Sequence, residues 1–170
     1  EADQRYMFFT DGQTRDLEKI DDQSNGYFVE KWTNLTDAGQ TASNTADGGV
    51  NTDYPLFRLA DVYLKMAEAV ANVLPYINEL QERAFGDNTH NKSESEINEL
   101  FIINERAREL YWEGYRRTDL IRFNQFTTNS YVWQWKGGVK DGKAVESKYN
   151  IYPIPATELT ANPNLYNENY

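Results

Sequence analysis

Ile102-Ile103-Asn104-Glu105-Arg106-Ala107-Arg108-Glu109-Leu110-Tyr111-Trp112-Glu113-Gly114-Tyr115-Arg116-Arg117-Thr118-Asp119-Leu120-Ile121-Arg122 repeats its charges at helical spacing and then stops. The pattern predicts one helix running to near Asn124, with Leu100, Ile103, Ala107, Leu110 and Gly114 along its buried seam. Ser93 and Glu96 fit a capping box that opens it. Glu105, Glu109 and Glu113 recur every four residues on one side. Two of them could act as acid and base in glycoside hydrolysis. Yet each has a local cation: Arg108 for Glu105, Arg106 for Glu109, Arg116 or Arg117 for Glu113, and Arg122 for Asp119. Intrahelical ion pairs of an ordinary helix surface are therefore the preferred reading. An alternative buries Asp119 and Arg122 partly, as a lock that ties the helix end to another segment.

Upstream, order begins at Pro55. Leu59, Val62, Tyr63, Met66, Val70 and Val73 form an apolar stripe, and Arg58, Asp61, Lys65 and Glu68 a solvated, salt-linked opposite face. Ala60, Ala67, Ala69 and Ala71 leave room for a neighbouring helix. A second helix follows Pro75, with Ile77, Leu80 and Ala84 on one side and Gly86 as its stop. Only Asn72 looks like a turn residue between the two. Either the hairpin is very tight, or a helix kinks at Pro75, or the turn has suffered a deletion.

Both flanks are poorer in helical signal. Residues 1–54 are loop-rich, with short extended pieces at Tyr6-Met7-Phe8-Phe9 and Tyr27-Phe28-Val29 and a loop over residues 37–49. After the helical part, residues 55–126, come residues 127–170. There Tyr131-Val132-Trp133-Gln134-Trp135 alternates aromatics at period two, a strand signal. Gly137-Gly138 and Asp141-Gly142 suggest turns or a hairpin. Pro153 and Pro155 predict an extended tail from Ile151. The whole reads as mainly α, of paired helices with loop-rich segments and a small β element.

The balance of 27 acidic against 17 basic residues leaves a net charge of −10 over 170 residues. That argues against nucleic acid and against polybasic docking on an anionic membrane, both of which need clustered Lys and Arg. With no cysteine, disulfides, thiol nucleophiles and thiolate metal sites are excluded, as is a lipid anchor within this stretch. No apolar run approaches the roughly 20 residues that span a bilayer.

His90 is the only histidine and lies in a polar loop, so neither a triad nor a histidine metal site is expected. Asp11, Asp16, Asp21 and Asp22 lack calcium-loop spacing. No cofactor is predicted. Aromatics are 14% of the chain, high for so polar a sequence. Tyr131, Trp133 and Trp135 are the best candidates for a ligand platform, since aromatic faces stack on the C–H faces of sugars. The competing reading packs them on the core. Trp32 shares that ambiguity. Trp112 falls inside the predicted helix and reads as core.

These motifs, in this order, resemble the C-terminal region of the SusD/RagB-like proteins, surface glycan-binding lipoproteins of Bacteroidetes. The resemblance rests on Arg58 through Ala69, Tyr76 through Ala84, Glu105 through Leu110 with Glu113-Gly114-Tyr115-Arg116 and Asp119 through Arg122, and the closing Tyr152-Pro153-Ile154-Pro155, Glu158-Leu159 and Asn162-Pro163-Asn164-Leu165. Asp3-Gln4-Arg5 resembles the start of that region. The chain closes on Tyr166-Asn167-Glu168-Asn169-Tyr170, where the family has Gln-Asn-Pro-Gly-Tyr. The resemblance implies tetratricopeptide-like helix pairs and a fragment of a longer, non-enzymatic protein. That protein would be lipid-anchored outside these residues and would bind oligosaccharide or polysaccharide at the outer membrane. It would serve a SusC-like, TonB-dependent transporter. In the family, much of the sugar site lies upstream of this region. A peptide-binding scaffold of RagB type is the runner-up, and a glycosidase ranks last. In this reading Glu105, Arg106, Glu109, Glu113, Arg116, Asp119 and Arg122 are a structural ion-pair frame.

Overall fold

Helix α1, Leu59–Ala69, folds back through a four-residue turn onto α2, Leu74–Phe85, and both are elements of a computed structural model. The structure describes residues 3–41, 50, 52–70, 72–167 and 170. It divides into two compact units, Glu1–Arg116 and Arg117–Tyr170. Part of the predicted 37–49 loop and Ala71 fall outside the described residues.

The tight-hairpin alternative holds at the first turn. Val70 is extended, Asn72 adopts a left-handed φ of 64°, and Pro75 sits in the first turn of α2, where its missing N–H costs nothing. Gly86 ends α2 at φ 81° and donates its N–H to Glu82 O at 2.8 Å. Ala60 and Leu64 of α1 meet Ile77 and Leu80 of α2 in a small core completed by Leu110. Each such leucine or isoleucine stabilises the fold by roughly 1.5–3 kcal/mol. Tyr63 and Tyr76 close the rim, ring centroids 4.9 Å apart.

Helix α1 is rotated relative to the expected stripe. Leu59 is 61% and Val62 45% exposed, whereas Ala60, Asp61 and Leu64 are buried. The supposedly solvated face turns inward at Asp61, while Lys65 keeps its side chain 52% exposed. Ala60, Leu64 and Ala67 form an equally good i, i+4, i+7 apolar row, and charge chooses between the two rows. Asp61 pairs with fully buried Arg106 at 2.9 Å while also receiving Lys65, its i+4 neighbour.

The capping box is real, but it opens only a single turn of 3-10 helix, Glu94–Glu96. Helix α3, Glu99–Leu110, is capped by Asn98, whose side chain accepts from the Phe101 N–H at 2.9 Å. Asn98→Ala should therefore cost about 1 kcal/mol. Thermal melts read this directly, and an unchanged midpoint contradicts the assignment. The predicted seam holds at Ile103 and Leu110, but Leu100 is 65% exposed.

The single long helix is the second correction. It breaks after Leu110: Tyr111 is extended, Trp112 has φ 59° and Gly114 φ 80°, and helix α4, Arg116–Arg122, starts afresh. A Cβ at Gly114 would lie 2.8 Å from the Tyr54 hydroxyl. Charge spacing alone does not reveal the break, because Glu113 carries the i+4 rhythm across it. Helix α4 ends as expected, with Asn124 at φ 55° and the Gln125 N–H returning to Leu120 O.

The third correction concerns strands. Among the described residues the only two named strands are β1, Phe8–Phe9, and β2, Phe28–Val29, antiparallel with Phe8 opposite Val29 and Phe9 opposite Phe28. They are the two extended pieces expected in the lead-in. Residues 131–135, by contrast, form no strand. Trp135 has φ 66°, the Lys136 N–H returns to Trp133 O, and the Lys136 ammonium draws in the carbonyls of Thr128 and Tyr131, both at 2.6 Å. The Trp133 ring lies over that ammonium, and no ladder forms. The predicted turns at Gly137-Gly138 and Gly142 are present, all three at positive φ.

The tail is extended through Pro155 but then forms helix α5, Ala156–Ala161. Pro155 is tolerated there because it precedes the first helical N–H. The side chain of Asn167 brackets Ile154, accepting from its N–H at 2.7 Å and donating to its carbonyl at 3.3 Å. Among the described residues no helix is long and apolar enough to cross a membrane.

Candidate functional site

Two arrangements in the chain concentrate chemistry: a caged carboxylate row in the first unit and an aromatic cavity in the second. Glu105, Glu109 and Glu113 share one side of the α3 region, as their spacing required, but all three are buried. Glu105 accepts from Arg5 and Gln81 on one oxygen and twice from Arg108 on the other. Glu109 accepts from Arg83, Arg58 and, more distantly, Arg5 at 3.4 Å. Glu113 takes a two-pronged grip from Arg58, at 2.7 and 2.8 Å, together with Lys31.

Lys31 spends its three donors on Glu113 and on the carbonyls of Glu109 and Tyr111, which closes the C-terminal end of α3. Its ammonium also lies 4.5 Å from the Tyr111 ring centre. Burial outweighs the attraction of Glu113 and pushes the Lys31 ammonium below its ordinary value.

The expected local pairs survive at Glu105–Arg108 and Asp119–Arg122. Elsewhere the pairing is long-range. Glu109 is held by Arg5, Arg58 and Arg83, and Glu113 by Lys31 and Arg58. Arg116 donates to Ile103 O at 2.9 Å. The reading of a solvated surface ladder is thereby corrected to a buried cage. Apart from Arg108, its guanidiniums come from segments some 26 to 104 residues away, as in Arg83–Glu109 and Arg5–Glu109.

Burial alone would raise the Glu109 carboxyl, but the Arg83 and Arg58 guanidiniums outweigh it and hold it below the ordinary range. A glycosidase acid needs the opposite shift. Because the folded form binds this proton more weakly than the unfolded chain, the stabilisation is complete above the unfolded value. It is lost as pH falls through the lowered one. Denaturant midpoints should thus fall as the pH drops below about 4.3. A midpoint flat from neutrality to well below that value contradicts it.

The aromatic candidates separate. Trp32 borders a cleft of about 440 Å³ over the cage, and its indole N–H donates to Trp112 O at 3.2 Å. Trp112 is a correction: it lies outside any helix and is 69% exposed. Trp133 lines a cavity of about 810 Å³ within residues 117–170. Tyr131 packs beside Trp133, centroids 6.0 Å apart, while Trp135 forms the left-handed turn behind it.

The cavity also has walls that periodicity did not single out. The Arg117 guanidinium lies 4.0 Å from the Tyr152 ring centre and 5.0 Å from that of Phe126, and it donates to Tyr149 O. Tyr170 fixes the far side, its single O–H shared between Lys148 O and Ile151 O. Lys136 stands 4.8 Å from the Trp133 ring centre, and burial pushes its ammonium below the usual value. Tyr152 and Tyr170 were visible only as parts of the tail motifs, and Arg117 only as a partner for Glu113. Among the described residues no group of three His, Cys, Asp or Glu side chains could hold a metal ion.

A family model described as the SusD family matches residues 4–170. The starch-binding protein SusD of Bacteroides thetaiotaomicron is 43% identical over 152 residues, 86% of this chain and 26% of that protein. SusD-like protein P25 of Formosa agariphila is 34% identical over 117 residues, 64% of this chain and 22% of that one. The chain thus spans about a quarter of the length of the curated relatives it matches. Among solved structures, surface glycan-binding protein A from Bacteroides thetaiotaomicron superposes with a TM-score of 0.66 at 25% identity, covering 89% of this chain and 32% of that one.

Proposed function

We propose, given that this chain belongs to the SusD family, that it is part of a surface protein that binds glycans without cleaving them. The observation that carries this reading is the cavity of about 810 Å³ with Trp133, Tyr149 and Tyr152 in its walls. Aromatic faces of this kind suit the apolar faces of sugar rings, and the charged groups beside them suit hydroxyls. Starch binding by the 43% identical relative supports the same class of ligand. Trp133 and Tyr131 are assigned to this platform and Trp135 to its support. Trp32, with exposed Trp112 beside it, is assigned to a second aromatic surface.

The whole protein would sit at the outer membrane and hand oligosaccharide to a SusC-like, TonB-dependent transporter. The resemblance to the SusD/RagB-like lipoproteins supports this role. The caged carboxylates contribute rigidity, since every one of them is already held by cations.

Calorimetric titration of the full-length protein with a panel of oligosaccharides, malto-oligosaccharides first, tests the reading. Binding should appear, and Trp133→Ala should weaken it about tenfold, as expected for losing one stacked ring and its buried area. A protein that binds peptides and no glycan sinks the proposal.

A further inference from the structure

Charge within the second unit's cavity runs against the charge of the chain. The chain carries a net charge of −10, so a cluster of cations without carboxylates beside them runs against its balance. Three such cations line one cavity: Arg117, Lys136 and Lys143. None of them makes an ion pair among the described residues. Lys136 is committed to the wall, since its buried ammonium is held by the Thr128 and Tyr131 carbonyls. Arg117 uses its face on Tyr152 and one nitrogen on Tyr149 O. The other donors of its five N–H groups have no protein acceptor among the described residues.

Lys143 is placed with similar economy. Its stem lies over Gly137, where a Cβ would come within 2.8 Å of Lys143 Cγ. Gly137, at φ 67°, is the residue type that leaves the stem this room. The one acid in the lining, Glu146, is 71% exposed and sits 3.4 Å from Lys148. The cavity therefore presents uncompensated positive charge beside aromatic faces, in a protein whose overall field repels anions.

We infer that this cavity takes an acidic saccharide, its ring stacked on the aromatic wall and its carboxylate or sulfate ester met by Arg117 and Lys143. The inference rests on the glycan-binding reading and narrows it to a class of ligand. Guanidinium and ammonium groups recognise carboxylate and sulfate oxygens through hydrogen bonds charged on both sides, an ion-pair attraction that neutral sugars lack.

The test uses the full-length protein and matched glycan pairs: an oligogalacturonide against its methyl ester, and a sulfated galactan oligosaccharide against its desulfated form. Malto-oligosaccharide and polyglutamate serve as references. The acidic member of at least one pair should bind about tenfold tighter than its neutral counterpart, with the preference shrinking as salt is raised. The identity of the preferred pair distinguishes carboxylate from sulfate. Lys143→Gln should reduce the acidic-to-neutral ratio severalfold and Lys143→Glu should reduce it further, while Lys19→Gln, on an exposed loop, should leave it as it is. Equal affinity within both pairs overturns the inference, as does a ratio indifferent to charge at position 143. Polyglutamate binding as tightly as the acidic glycan overturns it too, because that marks a generic polyanion patch. In each of those cases neutral glycan binding leaves the broader reading standing. Binding of no glycan at all removes both.

Discussion

Glu109→Ala is expected to destabilise the protein by about 3–5 kcal/mol, the range for breaking a buried ion pair from one side. The Glu109 side chain is 3% exposed and faces Arg5, Arg58 and Arg83. Removing it strands cations that differ in their access to water. The Arg83 side chain is 51% exposed and can rehydrate, whereas that of Arg5 is 9% exposed and cannot. Arg5 keeps Glu105 and Asp3, and Arg58 keeps Glu113, so the cage loses its central acceptor while its ends persist.

Against a typical domain stability of about 5–15 kcal/mol, such a loss removes a large share of the total and approaches unfolding at the lower end. Arg83→Ala, from the half-exposed side, should cost only about 1 kcal/mol. Urea titrations of the two variants decide the matter. Comparable, small losses would mean that Glu109 is a surface residue of the ordinary kind.

The contrast shows where sequence reading reaches and where it stops. Helix α2 was legible from Pro75 to Gly86 because each signal acts within a turn of its neighbour. The end of α4 at Asn124 and the capping box of Ser93 and Glu96 are local in the same way. The burial of α1 was not legible. Its two candidate rows are equally apolar at one end, and the choice depends on Arg106, which lies 45 positions beyond Asp61. Likewise, i+3 and i+4 arithmetic assigned Glu113 to Arg116 or Arg117. The break at Trp112 and Gly114 instead sends Glu113 to Arg58 and Lys31, and Arg117 to Tyr152.

The candidate site follows the same division. Trp133 was found because aromatic alternation marks it. The strand inferred from that alternation was wrong, because a strand needs a ladder partner and Lys136 collects the local carbonyls. Arg117 and Tyr149 had no periodic signal, since the folding-back of the chain from 145 to 153 is what sets Tyr149 and Tyr152 against Arg117 in the wall that Trp133 shares.

The turn that supports Trp133 gives the second large effect, at Gly142. Its φ is 74°, and a Cβ there would stand 2.2 Å from Trp133 O and 2.4 Å from Val132 Cγ1. No rotamer relieves a contact with a backbone oxygen, so the 132–133 segment must move. Gly138 is the internal control, at φ 76° with nothing within 4 Å of its Cβ position. Gly138→Ala carries only the left-handed backbone cost, roughly 1–2 kcal/mol. Gly142→Ala carries the same cost and the displacement of a packed segment, together about 3 kcal/mol or more.

Trp133 lines the cavity, so the second variant should also lose glycan affinity, and the first should keep it. Paired melting curves and titrations separate the two effects. If Gly142→Ala proves no worse than Gly138→Ala in stability, the close approach of the two backbones is wrong. If it is worse in stability yet binds glycan as well as the parent, Trp133 is not part of the binding surface.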